Sequence, residues 1–260
     1  MSSISEPVLS RRYGELVVHI FGSTVAVGAS AAEHLAAILN ESIDHRGLAS
    51  VVLATGNSQL EFMKALREQH DVEWDKVMVF HMDEYLGMSD RHPASFQRYI
   101  REKLTDVVQP RVFFGIQGDS QDVDGELRRY TELLKEYPPD ACVMGIGENG
   151  HLAFNDPPAD FTTTETIHVV RLDESCRRQQ VDEGHFASLE EVPERAVSLT
   201  VRALLSARQL LVVVPEKRKA AAVKAALEGP ITPNCPASIL RRQSNARVYL
   251  DQGSSSLLSI

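Results

Sequence analysis

The sequence predicts a single α/β domain built on an open, mostly parallel sheet with helices on both faces. Three observations carry that expectation. Short β-branched apolar runs alternate with helical patterns along the chain, as in repeated βαβ units. No low-complexity linker and no internal repeat divides the 260 residues, a length that one large domain can fill. A glycine-rich loop follows the apolar run Ala141-Cys142-Val143-Met144, and open α/β sheets bind ligands at the carboxyl ends of their strands.

The elements read in order. Leu16 to Phe21 is a strand, and Ala29 to Asn40 a helix with Ala32, Leu35, Ala36 and Leu39 on one face. Ser50 to Ala54 is a buried strand leading through Thr55-Gly56-Asn57-Ser58 into a helix from Gln59 to about Glu68. Val77 to Phe80 and Val112 to Phe114 are strands, with a helix from Phe96 to Leu104 between them. An amphipathic helix from Gly125 to Tyr137 stops at Pro138-Pro139. Beyond the glycine loop, strands are expected at Thr166 to Leu172, Ala196 to Val201, Gln209 to Val214 and Arg247 to Leu250. Asp173 caps a short polar helix through Gln180, and Pro215 opens a helix running to Glu228. The ends, 1–13 and 253–260, read as flexible.

Composition narrows the function. A formal charge of −9 and a pI near 5.5 argue against non-specific nucleic-acid binding, which needs a basic footprint. An anionic substrate would need a local basic pocket. Cys142, Cys176 and Cys235 form no CxxC pair, which fits reduced thiols. The first residues lack a signal-peptide pattern, and no apolar run approaches the roughly 20 residues of a membrane helix. The expected setting is the cytoplasm, with no membrane partner.

The segment Met144 to Pro157 concentrates the chemistry. Gly145, Gly147 and Gly150 fall within six positions, His151 follows at once and Asp156 comes five residues later. Glycine allows positive φ and close approach of a ligand, and histidine serves as acid and base near neutral pH. The G-x-G-x-x-G match lacks the sustained helix of a dinucleotide site, since Asn155-Asp156-Pro157-Pro158 halts any helix early. Asp83 and Glu84 offer carboxylates for proton transfer at carbon, at the end of another strand. Thr55 to Ser58 at a helix start is an anion site or a simple cap. His81, Asp83, His92 and His151 show no metal-ligand register, so no metal and no cofactor are expected. Ser58 and Ser95 lack a nucleophile elbow.

Taken together, Thr55-Gly56-Asn57-Ser58, Met82-Asp83-Glu84-Tyr85-Leu86-Gly87, His92-Pro93-Ala94-Ser95, Gly145 to Pro157 and Lys219 resemble the glucosamine-6-phosphate deaminase (isomerase) family. That family belongs to the group that includes 6-phosphogluconolactonases, and the Met-Asp-Glu-Tyr run favours the deaminase branch. The resemblance implies a Rossmann-like fold without a nucleotide cofactor. It also implies a phosphosugar substrate and a water-consuming reaction, classed as hydrolytic, that turns glucosamine 6-phosphate into fructose 6-phosphate and ammonia. By that likeness His151 assists ring opening, Asp83 moves a proton from C2 to C1, and Glu84 supports it. Thr55 to Ser58 and Lys219 would hold the phosphate. Three positions depart from the family pattern. Asn149 stands where aspartate is frequent, and Asp156, where glutamate is frequent, is one methylene shorter and expected to fall short of the histidine. Gln180 stands where some members carry a phosphate-binding arginine, for which Arg177 on the same helical face is the substitute. A lactonase-like hydrolase and a non-catalytic sugar-phosphate sensor are the alternatives. Assembly as a homo-oligomer stays open.

Overall fold

A computed structural model describes residues 6–259. Its strands are β1 (Leu9–Tyr13), β2 (Leu16–Phe21), β3 (Ala49–Leu53), β4 (Val77–His81), β5 (Asp83–Tyr85), β6 (Val112–Phe114), β7 (Ala141–Met144), β8 (Ile167–Arg171), β9 (Arg195–Leu199), β10 (Gln209–Val214) and β11 (Ala246–Asp251). Its helices are α1 (Thr24–Arg46), α2 (Leu60–Arg67), α3 (Phe96–Ile100), α4 (Asp106–Val108), α5 (Val123–Glu136), α6 (Glu174–Asp182), α7 (Val201–Leu204) and α8 (Ala220–Glu228). The main sheet has the order β1-β2-β11-β10-β7-β3-β4-β6. Only the β1–β2 pair in it is antiparallel. The expected parallel α/β architecture is therefore present, with a second sheet β5-β9-β8 beside it.

Alternation within strands builds a core on each face. Along β10, Leu210, Val212 and Val214 pack with α8 residues Val223 and Leu227, while Leu211 and Val213 pack with Leu35, Leu39 and Phe62 of α1 and α2. A smaller aromatic core, with Tyr85, Phe154 and Phe186, lies beneath α6 with Cys176. Trp74, the one tryptophan, is buried at the amino end of β4. Among the described residues, no helix is long and apolar enough to cross a membrane. The three cysteines are free and buried.

Two sequence expectations change. The expectation of flexible ends does not hold for Leu9–Tyr13, which pairs with β2, or for Ser254 and Ser255, which are buried. Asp251 explains the tail: its backbone N–H donates to Ser254 Oγ at 3.1 Å, and its Oδ1 accepts from Ser254 N–H at 2.7 Å. Residues 1–5 and 260 lie outside the described residues. The first long helix also runs well past Ala29–Asn40 in both directions. Ser23 caps its start by accepting from Ala26 N–H at 3.2 Å, and Gly47, at φ 78, closes its end.

Gly28, just before the expected helix start at Ala29, lies inside α1 against the backbone of α2. A Cβ there would stand 2.6 Å from the Glu61 carbonyl carbon and 2.7 Å from Phe62 N, both backbone atoms of α2. Alanine in a helix interior gains about 1 kcal/mol over glycine, but overpacking a rigid contact costs about 1–3 kcal/mol. Gly28→Ala is therefore expected to destabilise by up to roughly 2 kcal/mol, read as a lower urea midpoint. An unchanged or higher midpoint would mean that the α1–α2 contact yields.

Candidate active site

The winding of the main sheet sets the place of the site. From β3 the chain builds outward to β4 and β6, then returns to the other side of β3 with β7 and continues to β10 and β11. The crevice between β3 and β7 is thus a switch point, where open sheets collect ligands. Four adjacent strands, β10, β7, β3 and β4, deliver Lys219, the glycine loop, Thr55–Ser58 and Asp83 to this edge. One pocket is lined by Thr55, Gly56, Asn57, Ser58, Asp83, Gly145, Gly147, His151 and Lys219.

Backbone geometry shapes the anion end. Gly56 has φ 102, and Asn57–Gln59 forms a 3₁₀ turn that opens α2. Tyr99 donates its hydroxyl to Gly56 O at 2.9 Å, and Gln59 Nε2 donates to Val213 O at 3.1 Å. These bonds fix the turn to the rest of the sheet, with backbone N–H groups at a helix start. Lys219 is 3% exposed, and its ammonium makes no hydrogen bond or ion pair among the described residues. Burial, and then repulsion from Arg218, hold its pKa below the usual lysine range. Arg218 itself is engaged by Glu216, Glu148 and Glu183. The loop carrying both cations is braced by Glu216 N–H donating to Asp251 Oδ2 at 3.0 Å, so the packed tail supports the anion end.

Asp83 and Glu84 part company because successive strand residues face opposite sides. Asp83 pairs with Ser198 of β9 and turns into the pocket. Burial, and then the Glu84 carboxylate, push its pKa well up. Glu84 is fully buried and accepts from Ser95 Oγ at 2.8 Å, Gln97 N at 3.0 Å, Phe96 N at 3.2 Å and Tyr85 N at 3.0 Å. Glu84 is a cap for the chain entering α3 and does not line the pocket, which corrects its assignment to the catalytic group. Burial raises its pKa against the pull of those hydrogen bonds.

His151 is held from two sides. Its Nδ1 lies 2.7 Å from Asn149 Oδ1 and 3.2 Å from Asp156 Oδ1. Both are acceptors, so Nδ1 carries the proton and Nε2 keeps its lone pair. The Asn149 amide orientation follows from its neighbours: Oδ1 accepts from His151 N–H at 3.1 Å, and Nδ2 donates to Asp156 Oδ1 at 3.1 Å. The expectation that Asp156 falls short of the histidine is thereby overturned. Burial raises the Asp156 pKa, but the bonds from His151 and Asn149 outweigh it, and the carboxyl sits below its ordinary value. The imidazole lies over Gly147, where a Cβ would come within 2.1 Å of the ring. Asn155 fastens the loop to β9 by donating to Leu199 O, and closes the loop on itself by donating to Leu152 O, each at 2.8 Å.

Arg177 does not reach the pocket, which corrects its assignment to phosphate binding. Its guanidinium donates to Leu189 O at 2.6 Å and Val192 O at 2.9 Å; facing one side of a helix did not mean facing the ligand. His81, Asp83, His92 and His151 do not converge among the described residues. His81 Nε2 accepts from Ile116 N–H and His92 Nδ1 from Ala94 N–H. Sequence reasoning missed Glu183, which lines the pocket with Gln179 and Gln180. Burial raises the Glu183 carboxyl, but bonds from His185, Arg218 and Gln179 outweigh this and bring it to about 2. Gln180 Oε1 accepts from the buried Tyr85 hydroxyl at 2.9 Å, which leaves its amide N–H₂ for the pocket.

The chain is similar to known proteins over most of its length. The chain is 36% identical over 219 residues to a glucosamine-6-phosphate deaminase of Exiguobacterium sibiricum, covering 84% of this chain and 85% of that protein. It is 35% identical over 223 residues to one of Streptococcus uberis, covering 85% and 92%. A monomeric glucosamine-6-phosphate deaminase of known structure superposes with a TM-score of 0.86 at 29% identity, over 93% of this chain and 99% of that one. A 6-phosphogluconolactonase of Shewanella baltica, at 22% identity and a TM-score of 0.74 over 93% and 99%, shares the fold. With the family model matched from residue 23 to residue 250, across every strand end that forms the pocket, the chain belongs to the glucosamine-6-phosphate isomerase/6-phosphogluconolactonase family.

Proposed function

We propose that this protein is a glucosamine-6-phosphate deaminase, with Asp83 and His151 as its proton-transfer groups. The observation that carries the reading is one pocket holding a buried carboxylate of raised proton affinity, an imidazole with a bare Nε2, and an unpaired ammonium beside a helix start. The substrate phosphate lies on the Thr55–Ser58 backbone and Lys219. His151 takes the O1 proton and delivers it to O5 as the C1–O5 bond breaks, giving the open-chain aldehyde. Asp83 removes the C2 proton to form an enolamine, while the substrate ammonium gives up a proton that His151 passes to O1, and Asp83 returns its proton to C1. Water adds to the resulting C2 iminium, and ammonia leaves fructose 6-phosphate behind. Asp156 and Asn149 are positioning residues: they hold Nδ1, and the Asp156 charge stabilises the imidazolium between steps.

The high proton affinity of Asp83 suits this role, because a base works best with a pKa near the operating pH. Asn149 brings no charge where aspartate is frequent in the family, and Asp156 Oδ1 at 3.2 Å from Nδ1 supplies it. The reading places the protein in the cytoplasm, where sugar phosphates are metabolised. The number of copies in the working assembly is no part of it.

Release of ammonia and fructose 6-phosphate from glucosamine 6-phosphate, followed in a coupled assay, is the direct test. Native protein is expected to release both, and Asp83→Asn to lose about 10²-fold or more in kcat. Saturable binding without either product would overturn the deaminase reading. The same variant carries a stability signature. A carboxyl whose folded pKa is raised contributes stability below its unfolded pKa of about 3.9 and loses it as pH rises through the folded value. Asp83→Asn is therefore expected to outlast the native protein in urea at pH 7, with the difference closing below about pH 4. A less stable variant at pH 7 would show that Asp83 is not a penalised buried charge.

Lys219 gives a second pH effect of opposite sign. Phosphate needs the ammonium form, and burial lowers the Lys219 pKa. KM is expected to rise on the alkaline side before the ordinary lysine range near 10.4 is reached, with a smaller change in kcat. Lys219→Gln should abolish that alkaline rise and raise KM at neutral pH. A native KM flat to the ordinary lysine range would remove Lys219 from phosphate binding.

A further inference from the structure

Behind the catalytic imidazole lies a second arrangement of donors. Cys176 comes from α6 and is 1% exposed, and burial, then the Asp156 and Asp83 carboxylates, push its thiol pKa up. The Cys176 Sγ, an Asp156 carboxylate oxygen and a ring nitrogen of His151 all lie within 4.8 Å of one another. Nδ1 and Asp156 Oδ1 are 3.2 Å apart. A tetrahedral zinc with bonds of about 2.0–2.3 Å has ligand-to-ligand edges of roughly 3.3–3.8 Å, so small side-chain shifts close the set. A surface hollow lined by Glu148, Asn149, Cys176, Arg178, Gln179 and Asp182 reaches the thiol without crossing the substrate pocket. Asp182 lies in that hollow, and the Glu148 carboxylate there is paired with Arg218.

We propose that His151, Asp156 and Cys176 form a site for a thiophilic divalent ion such as Zn²⁺, and that filling it arrests the enzyme. Sulfur, imidazole and carboxylate together favour zinc over calcium or magnesium, which take oxygen donors. Asn149 Oδ1 or a water completes four-coordination. The protons balance as follows. Cys176 releases its thiol proton to solvent as the thiolate binds, and the Nδ1 proton is lost while Nε2 gains one, leaving a neutral ring with its lone pair on the metal. The pocket-facing nitrogen then becomes a donor and no longer serves as a base. The ion also staples α6 to the glycine loop. Only the effect on turnover rests on the proposed deaminase reading.

The test uses full-length protein freed of metal by a chelator. On titration with Co²⁺, native protein is expected to take up one ion per chain with a thiolate-to-cobalt charge-transfer band in the near ultraviolet. Cys176→Ala should lack the band, and Cys235→Ala should keep it. With Zn²⁺, native turnover of glucosamine 6-phosphate should fall at least tenfold and return with chelator. Cys176→Ala should match native turnover without zinc and need at least tenfold more zinc for the same loss. Cys176→Ser, closer to cysteine in volume, is the second variant if alanine impairs folding. A native protein without the band, or a band that survives in both Cys176 variants, would overturn the site. If no turnover is found at all, the deaminase reading fails, but the cobalt arm still decides the metal site.

Discussion

The structure depends on a reversal of winding. Because β7 returns to the far side of β3, four neighbouring parallel strands end at one crevice without another strand blocking it. Each strand contributes one chemical part: a cation, a histidine loop, an anion turn and a carboxylate. The second sheet does the finer work. Antiparallel pairing of β5 with β9 keeps Asp83 buried and turned inward, while Asn155 ties the histidine loop to the same β9. Asp83 and the loop that carries His151 are thus anchored to a common strand.

Electrostatics reinforce that geometry. In a chain of formal charge −9, the anion end relies on burial and not on an excess of basic residues. Arg218 is surrounded by three carboxylates, so Lys219 is the ammonium left for a ligand, aided by backbone N–H groups. Glu183, ionised to about pH 2, lines the same pocket and pairs with Arg218.

Much of this was legible in the sequence where local chemistry decides the outcome. Strand and helix alternation gave the fold, and Gly145, Gly147, Gly150 and His151 announced the loop because a backbone under those constraints tolerates few other residues. What escaped depended on contacts distant in sequence. Glu84 looked equivalent to Asp83 until Ser95, Phe96 and Gln97 proved to be its partners. Arg177 faced the right way on a helical wheel, but Leu189 O and Val192 O were nearer. The expected helix start at Ala29 fell too late because the α2 backbone that packs on Gly28 lies more than thirty residues away. The serine-rich tail looked solvated until Asp251 supplied its hydrogen bonds.

Trp74 sits at the amino end of β4, whereas Asp83 follows its carboxyl end. Five strand residues separate the two edges, about 16 Å at the usual rise per residue. The molecule therefore carries a built-in division between its optical reporter and its chemistry. Tryptophan emission follows the integrity of the core and stays largely blind to what occupies the crevice. Ligand occupancy must be read by another probe, and the two signals can be recorded on one sample without confusion.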